Sequence, residues 1–339
     1  MKIENKTILI VGGTGSLGQA LIHRLRAKNR IVIFSRDELK QWTLRNELMD
    51  DDVSFIVGDM RDRQRLEEAL ITTNPNVVII AAALKQVDTC ELAPGESIKT
   101  NILGVQNLVE VTERNITRLD ALEAVVMVST DKACEPTNVY GMSKAIAERI
   151  VTSRSYVHEQ PRFVTVRYGN VLESRGSIMP LFRYQAENAE AFTLTHEDMT
   201  RFAMTLDESI DLILTAATRG TSGETWIPRL RAMRIKDLAE IFSRDYGKPI
   251  KITGMRPGEK LHEMLVSKPE SLRARTVDEF YVISSPLSPI DDLPEIFEYS
   301  SNQDVLSIDG LESYLNGLGI MNRKIEDFVG IQVDAIRKT

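Results

Sequence analysis

Short apolar runs alternate with stretches of helical spacing through the first half of the chain. Lys6–Val11, Ile31–Phe34, Val53–Val57, Val77–Ala81, Val125–Val128 and Phe163–Val166 are rich in Val and Ile with little polar interruption, as strands covered on both faces are. The intervals carry helix patterns: Ala20, Leu21 and Leu25, then Glu38–Leu48, Asp62–Ile71, Glu96–Glu113 and Tyr140–Val157. Each interval is long enough to cross over, so the order predicts an α/β fold with a doubly wound parallel sheet. After Arg167 the rhythm breaks into loop-rich sequence with helix patterns at Leu206–Thr218 and Ile235–Tyr246, then a Pro/Ser-rich tail from Ser284. This part is expected to form a smaller lobe, with segments near 200–225 returning to the sheet.

The first run leads straight into Gly12-Gly-Thr-Gly-Ser-Leu-Gly18. Strand, glycine turn and helix start in succession let backbone N–H groups approach a pyrophosphate at the helix N-terminus. Gly12, Thr14, Gly15, Ser16, Leu17 and Gly18 are therefore candidate cofactor contacts. The glycines alone are weak evidence, but their position between strand and helix is the context the motif requires. Residues 1–169 are read as the dinucleotide-binding domain and 170–339 mainly as a substrate lobe and tail.

Composition narrows the class without naming it. The chain has 339 residues, 42% of them hydrophobic, and a net charge of −7, enough for one large domain and a smaller lobe. No basic stretch of the kind nucleic acid requires stands out. Val77–Leu84 is too short to cross a bilayer, and the first residues lack a signal-peptide core; the expectation is a cytoplasmic enzyme without membrane insertion. Cys90 and Cys134 are expected to stay reduced, Cys134 as a small packing residue. The four histidines are scattered without ligand spacing, so no metal is expected.

Candidate chemistry concentrates after the fifth run. Ser129-Thr-Asp-Lys132 would lie at a strand tip, and Tyr140 and Lys144 share one face of the following helix. An ammonium beside a phenol favours the phenolate, so Tyr140 could act as a base near neutrality. Alone, Tyr-x-x-x-Lys also describes a packed aromatic and a solvated lysine, and Asp131-Lys132 an exposed charged turn.

At the end of the second run, Ser35, Arg36 and Lys40 could hold a phosphate between two cations, which favours NADP. Asp37 stands about 20 residues past the glycine turn, where a carboxylate would accept from a ribose hydroxyl and indicate NAD. A solvated, charged helix start explains the same residues. Spacing leaves all three open. Asp59 and Met60, after the third run, could flank an adenine, and Ala81 is small enough for close approach to the cofactor.

Nine blocks in register carry a specific resemblance: Gly12 to Gly18, Phe34-Ser-Arg-Asp-Glu-Leu-Lys-Gln41, Ala81-Ala-Ala-Leu-Lys-Gln86, Ser129-Thr-Asp-Lys-Ala133, Tyr140-Gly-Met-Ser-Lys144, Arg167-Tyr-Gly-Asn-Val-Leu172, Ser174-Arg-Gly-Ser177, Met199-Thr-Arg-Phe202 and Arg256-Pro-Gly-Glu-Lys260. From about residue 6 to 266 the chain resembles the inverting UDP-N-acetylglucosamine 4,6-dehydratases of the extended short-chain dehydrogenase/reductase superfamily. The resemblance implies a Rossmann-like fold, tightly held and internally recycled NADP, and a homo-oligomer of hexameric type. Beyond the residues already named, it implies cofactor contacts at Lys85, Tyr140, Lys144, Val171 and Arg175. For UDP-N-acetylglucosamine it implies Lys85, Asn170, Ile178, Thr195, Arg256 and Glu259.

The implied reaction is oxidation at C4 with Tyr140 taking the 4-hydroxyl proton, removal of the C5 proton, loss of water from C6, and reduction at C6. Thr130, Asp131, Lys132, Tyr140 and Lys144 are the catalytic candidates. Lys132 would be the C5 base if neighbouring positive charge kept it neutral, and Asp131, if protonated, the acid for the departing hydroxyl. Related glucose-nucleotide enzymes carry Asp-Glu and retain the C5 configuration; Lys132 therefore implies inversion and an L-arabino 4-keto product. A 4-epimerase would need Tyr140 and Lys144 but not Asp131 and Lys132. A retaining dehydratase and an NADP-binding sensor without turnover are further alternatives. Departures from the family pattern fall at Asp88–Pro94, near the implied sugar site, at Ile116–Glu123, and at Glu173 and Ala203.

Overall fold

The structure is a computed structural model and describes residues 3–156, 160–172, 174, 176–290 and 295–323. The first six strands are β1 (Thr7–Val11), β2 (Arg30–Ser35), β3 (Val53–Val57), β4 (Val77–Ile80), β5 (Ala124–Val128) and β6 (Arg162–Val166). They are followed by β7 (Asn170–Val171), β8 (Phe192–Leu194), β9 (Thr200–Met204), β10 (Thr225–Pro228) and β11 (Arg231–Arg234). The last are β12 (Ile250–Ile252), β13 (Met264–Val266), β14 (Ala274–Val277), β15 (Phe280–Ile283) and β16 (Tyr299–Ser300).

Among the described residues the principal sheet has the order β14-β15-β10-β6-β5-β4-β1-β2-β3. Strands β1 to β6 and β10 run parallel; β15 is antiparallel to β10, and β14 to β15. The chain reverses its order of strand placement between β1 and β4, and the crevice beyond the strand C-termini at such a reversal is where α/β sheets bind ligands.

Alternation along the strands explains their unbroken apolar character. Ile8, Ile10, Ile31 and Ile33 pack with Leu21, Ile22 and Leu25 and with Ile210 and Ile213. Leu9, Val11, Val32 and Phe34 point the other way, onto Leu66, Leu70, Leu108 and Val151. Successive residues thus serve opposite faces, both covered by helices. A separate cluster joins Phe182, Phe192 and Phe242 to Leu238, Ile241, Leu311 and Leu315. Its three phenylalanine rings lie 5.4–5.7 Å apart in tilted and edge-on pairs, the geometry aromatic quadrupoles favour.

The helices Glu38–Leu48 and Ile235–Tyr246 have the predicted bounds. Asp37 caps the first by accepting from the Lys40 N–H, and Gly247, at φ 66°, ends the second. Three expectations need correction. The stretch read as one helix over Glu96–Glu113 begins at Pro94 and passes through π-helical turns at Ile98–Leu103 before Gly104–Arg114. The helix expected to reach Val157 ends at Thr152 and tightens into a 3-10 turn at Ser153–Tyr156; Val157 lies outside the described residues. The tail from Ser284 contains β16, antiparallel to β13, and a helix at Ile308–Gly317 capped by Ser307.

Candidate active site

A cleft of about 970 Å³ opens over the C-terminal ends of β1, β4 and β5. It is lined by Gly12, Thr14, Gly15, Ser16, Leu17, Gly18, Ser35, Arg36, Asp37, Lys40, Asp59, Met60, Ala81 and Lys85 at one end. Thr130, Asp131, Lys132, Tyr140, Lys144, Asn170, Val171, Ile178, Thr195, Arg256 and Glu259 line the rest. These are the sequence-derived candidates gathered in one space, apart from Arg175, which lies outside the described residues.

At the dinucleotide end the backbone itself shapes the floor. Gly12 has φ +91°, and a Cβ there would stand 2.6 Å from the Ala82 nitrogen, so a side chain would both strain the turn and displace the Ala82 backbone. The helix Ser16–Leu25 starts without a side-chain cap and with no acidic residue in its first turn. By contrast, the helices starting at Glu38 and Arg63 are capped by Asp37 and Asp62. An uncapped, uncharged N-terminus aimed at the cleft suits a pyrophosphate. The glycine floor, this N-terminus and the small Ala81 fit a dinucleotide.

Beside it, Asp37 is committed to its own helix: it caps the Lys40 N–H, and its Oδ2 lies 2.9 Å from Lys40 Nζ. Arg36 is half-exposed, 3.7 Å from Asp59 Oδ2. Asp59 is anchored chiefly by Arg61, at 2.7 Å.

The catalytic candidates converge because Thr130 and the turn Asp131–Ala133 follow β5 directly, while Asn138 caps the helix Val139–Thr152 by accepting from Gly141 N. Gly141 lies so close to the Lys132 carbonyl oxygen that a Cβ has no room. The side chain of Asp131 is 1% exposed and that of Lys132 21%. Lys132 Nζ is 3.0 Å from Asp131 Oδ1 and 3.1 Å from Glu263 Oε1. Thr130 Oγ1 donates to Asp131 Oδ1 at 2.9 Å and hydrogen-bonds Tyr140.

These surroundings correct two electrostatic expectations. Burial alone would lower Lys132, but Asp131 and Glu263 outweigh it and hold the ammonium above the usual lysine range; its neighbours favour the protonated form. Burial pushes Tyr140 up to about 12, opposed first by the charge of Lys132 and then by the Thr130 hydrogen bond. The Lys144 amine is turned to the backbone. Burial pulls it down to about 8, partly offset by Glu148, and its Nζ donates to the Val128 carbonyl at 2.7 Å. Burial, opposed by Lys132 and aided by Glu263, raises Asp131 toward the protonated form.

Among the cleft residues that received no role from the sequence are Arg201, on β9, and Glu263, just before β13. Arg201 donates to the Thr200, Leu261 and Lys260 carbonyls. Lys260 Nζ donates to the Cys134 carbonyl at 2.6 Å, and Asn138 Nδ2 to the Gly258 carbonyl at 2.9 Å. The Arg256-Pro-Gly-Glu-Lys260 segment is thereby fastened onto the Asp131–Asn138 loop. The only available signal for Glu263 was its nearness to that block. Among the departures, Asp88 and Glu91 line the cleft, and Glu91 accepts the Val139 N–H at 2.6 Å. Cys90 and Cys134 are free and buried, and burial raises both thiols. Among the described residues no helix is long and apolar enough to cross a membrane.

Comparison with known proteins bears on what this arrangement does. Residues 8–285 match a family described as polysaccharide biosynthesis protein. The UDP-N-acetylglucosamine 4,6-dehydratase (inverting) of Campylobacter jejuni subsp. jejuni serotype O:2 is 37% identical over 85% of this chain and 85% of its own. The UDP-glucose 4-epimerase of Rickettsia bellii is 40% identical over 82% of this chain and 83% of its own. The X-ray structure of Pen from Bacillus thuringiensis superposes with a TM-score of 0.86 at 32% identity, covering 94% of this chain and all of that one.

Proposed function

The chain belongs to the polysaccharide biosynthesis protein family, and from that premise we propose that it is an NADP-dependent UDP-N-acetylglucosamine 4,6-dehydratase that inverts C5. The observation that carries this reading is the placement of a buried carboxyl, Asp131, against an amine, Lys132, in one cleft with Tyr140. Similarity to the inverting dehydratase of Campylobacter jejuni supports it.

NADP, when bound, supplies the hydride acceptor for C4 and later the donor for C6. Residues 1–169 would hold it, and 170–339 mainly the sugar nucleotide, with segments near 200–225 returning to the sheet. Asp37 is turned to its own helix and Lys40, while Arg36 reaches the cleft; both features favour a 2′-phosphate over a bare ribose. Tyr140, as its phenolate, takes the proton from the 4-hydroxyl, and the charge of Lys132 opposes the burial that raises its phenol. The ketone formed at C4 acidifies C5–H. Lys132 must then be neutral, and its surplus proton has an acceptor 3.0 Å away in Asp131. That transfer makes both groups ready at once: Lys132 removes the C5 proton and Asp131 protonates the departing 6-hydroxyl. Reduction at C6 and return of a proton to the opposite face of C5 give UDP-2-acetamido-2,6-dideoxy-β-L-arabino-hex-4-ulose, a precursor for surface polysaccharide. The working form would be a cytoplasmic homo-oligomer, a hexamer in keeping with the resemblance.

A 4-epimerase is the second reading, favoured by the similarity to the Rickettsia bellii protein. It gives Asp131 and Lys132 no part. Mass analysis of the nucleotide sugar after incubation with UDP-N-acetylglucosamine separates the two. The dehydratase yields a product lighter by one water, whereas a product of unchanged mass and altered C4 configuration would establish the epimerase.

A further inference from the structure

The Lys132 ammonium faces two carboxylates, of which only Asp131 has a role in the proposed reaction. The other, Glu263, is 2% exposed, with Oε1 3.1 Å from Lys132 Nζ. Its backbone is fixed: its N–H donates to Ser301 Oγ at 2.9 Å, and its carbonyl accepts from the Ser301 N–H at 2.8 Å. Arg201 Nε, from β9, lies 3.9 Å from Oε1, and Lys260 Nζ lies 4.0 Å from Oε2. Glu259 approaches the same Arg201 at 3.7 Å. The charged groups around Glu263 are thus Lys132 and Asp131 from the loop after β5, Arg201 from β9, and Glu259 and Lys260 from its own segment. Glu263 Oε2 and Asp131 Oδ2 are both buried without a hydrogen-bond partner.

We propose that Glu263 is a positioning residue for the elimination: a fixed anion that orients the Lys132 side chain and makes Asp131 the carboxyl that carries the movable proton. The proposal rests on the dehydratase reading. One ammonium cannot neutralise two buried carboxylates, and Glu263, with Arg201 and Lys260 beside it, is the better placed to remain charged. In loading the site, an N–H bond of Lys132 breaks and an O–H bond of Asp131 forms, leaving neutral amine, neutral acid and the Glu263 anion. In the elimination the C5–H bond breaks as an N–H bond of Lys132 forms. The C5–H electron pair becomes the C5–C6 double bond, and the C6–O bond breaks as its oxygen takes the Asp131 proton and leaves as water. The ammonium that develops on Lys132 meets the Glu263 carboxylate already in place. The reacting form therefore has one proton shared by Lys132 and Asp131.

Removing the Glu263 charge weakens the hold on that proton and equally weakens the tendency to bind a second one on Asp131. Both limbs of the pH–rate profile then move to lower pH. The test is Glu263→Gln and Glu263→Asp, with kcat, KM, C5 deuterium exchange and NADP binding measured across pH. For Glu263→Gln we expect kcat and C5 exchange to fall at least about tenfold, KM to change less than about threefold, and both limbs to shift down by about one pH unit. Glu263→Asp, which keeps the charge, should leave the limbs in place and recover part of the rate. Unshifted limbs in Glu263→Gln with NADP bound would overturn the proposal. So would a shift in Glu263→Asp as large as in Glu263→Gln, and if the Gln variant does not fold, limbs displaced in the Asp variant alone would do so. Failure of the wild-type protein to release water from UDP-N-acetylglucosamine would instead sink the dehydratase reading on which the proposal stands.

Discussion

Lys132 and Lys144 line the same cleft in different surroundings, and their charge states diverge accordingly. Lys132 sits between two carboxylates and is held protonated, whereas Lys144 is buried against a backbone carbonyl and falls to about 8. Lys132→Ala is expected to remove C5 deuterium exchange and dehydration while NADP still binds, with kcat lower by at least about a thousandfold; normal turnover in this variant would take Lys132 out of the mechanism. Tyr140→Phe should act earlier, stopping oxidation at C4, and accumulation of a 4-keto sugar in rapid-quench samples would contradict its assignment. The residues of this site were legible because Thr130, Asp131, Lys132, Tyr140 and Lys144 lie within one strand-loop-helix unit. The charge state of Lys132 was not. It depends on Glu263, more than a hundred positions away in sequence, whose approach to Lys132 follows from how the segment after Lys260 is fastened to the rest.

Among elements, the junction of β2 with its following helix is where the proposed preference for NADP would be set. Asp37 could have served a ribose hydroxyl, but in the structure its carboxylate caps the helix and pairs with Lys40. Arg36→Ala is expected to weaken NADP binding about tenfold or more while affecting NAD by less than about twofold, a charge-assisted contact to phosphate being worth about 1.5–3 kcal/mol. Titration of the apo protein with each cofactor checks this, and equal losses for both would remove Arg36 from discrimination. Elements with a strong local signal were readable, as Glu38–Leu48 shows with its Asp cap and its residues of good helix propensity. The π-helical turns at Ile98–Leu103 break the 3.6-residue period without a Pro to mark the break. The short β16 and the helix Ile308–Gly317 follow a Pro/Ser-rich stretch and owe their stability to distant partners, β13 for the one and Leu238 and Ile241 for the other.

For the molecule as a whole, one buried charge network joins the parallel sheet to the C-terminal segment beneath the cleft. Arg167, just after β6, meets Glu148 at 2.5 Å and Glu270 at 2.8 Å, and Ser129 Oγ donates to Glu148 at 2.5 Å. Burial would raise Glu270, but Arg167 and the Ser267 N–H outweigh it and bring the carboxyl down to about 2. Because this folded-state value lies below the ordinary 4.5, the associated stability is present above about pH 4.5 and is lost as pH falls toward 2. Its size is about 3 kcal/mol. Glu270→Gln, which leaves Arg167 short of one partner, should lower unfolding stability by about 3 kcal/mol at neutral pH and flatten the decline between pH 4.5 and 2; denaturant titrations at several pH values test both. An undiminished acid slope in Glu270→Gln would show that the pH dependence arises elsewhere.

The central claim is that this assembly of sheet, cleft and buried charges removes water from C6 and inverts C5. Proton NMR of the protein turning over UDP-N-acetylglucosamine in D₂O tests it most directly. The account predicts a new C6 methyl signal, deuterium at C5, and ring couplings of the L-arabino configuration. A C6 methyl with the original C5 configuration would contradict the role given to Lys132, and a C4 epimer with no methyl would contradict dehydration itself.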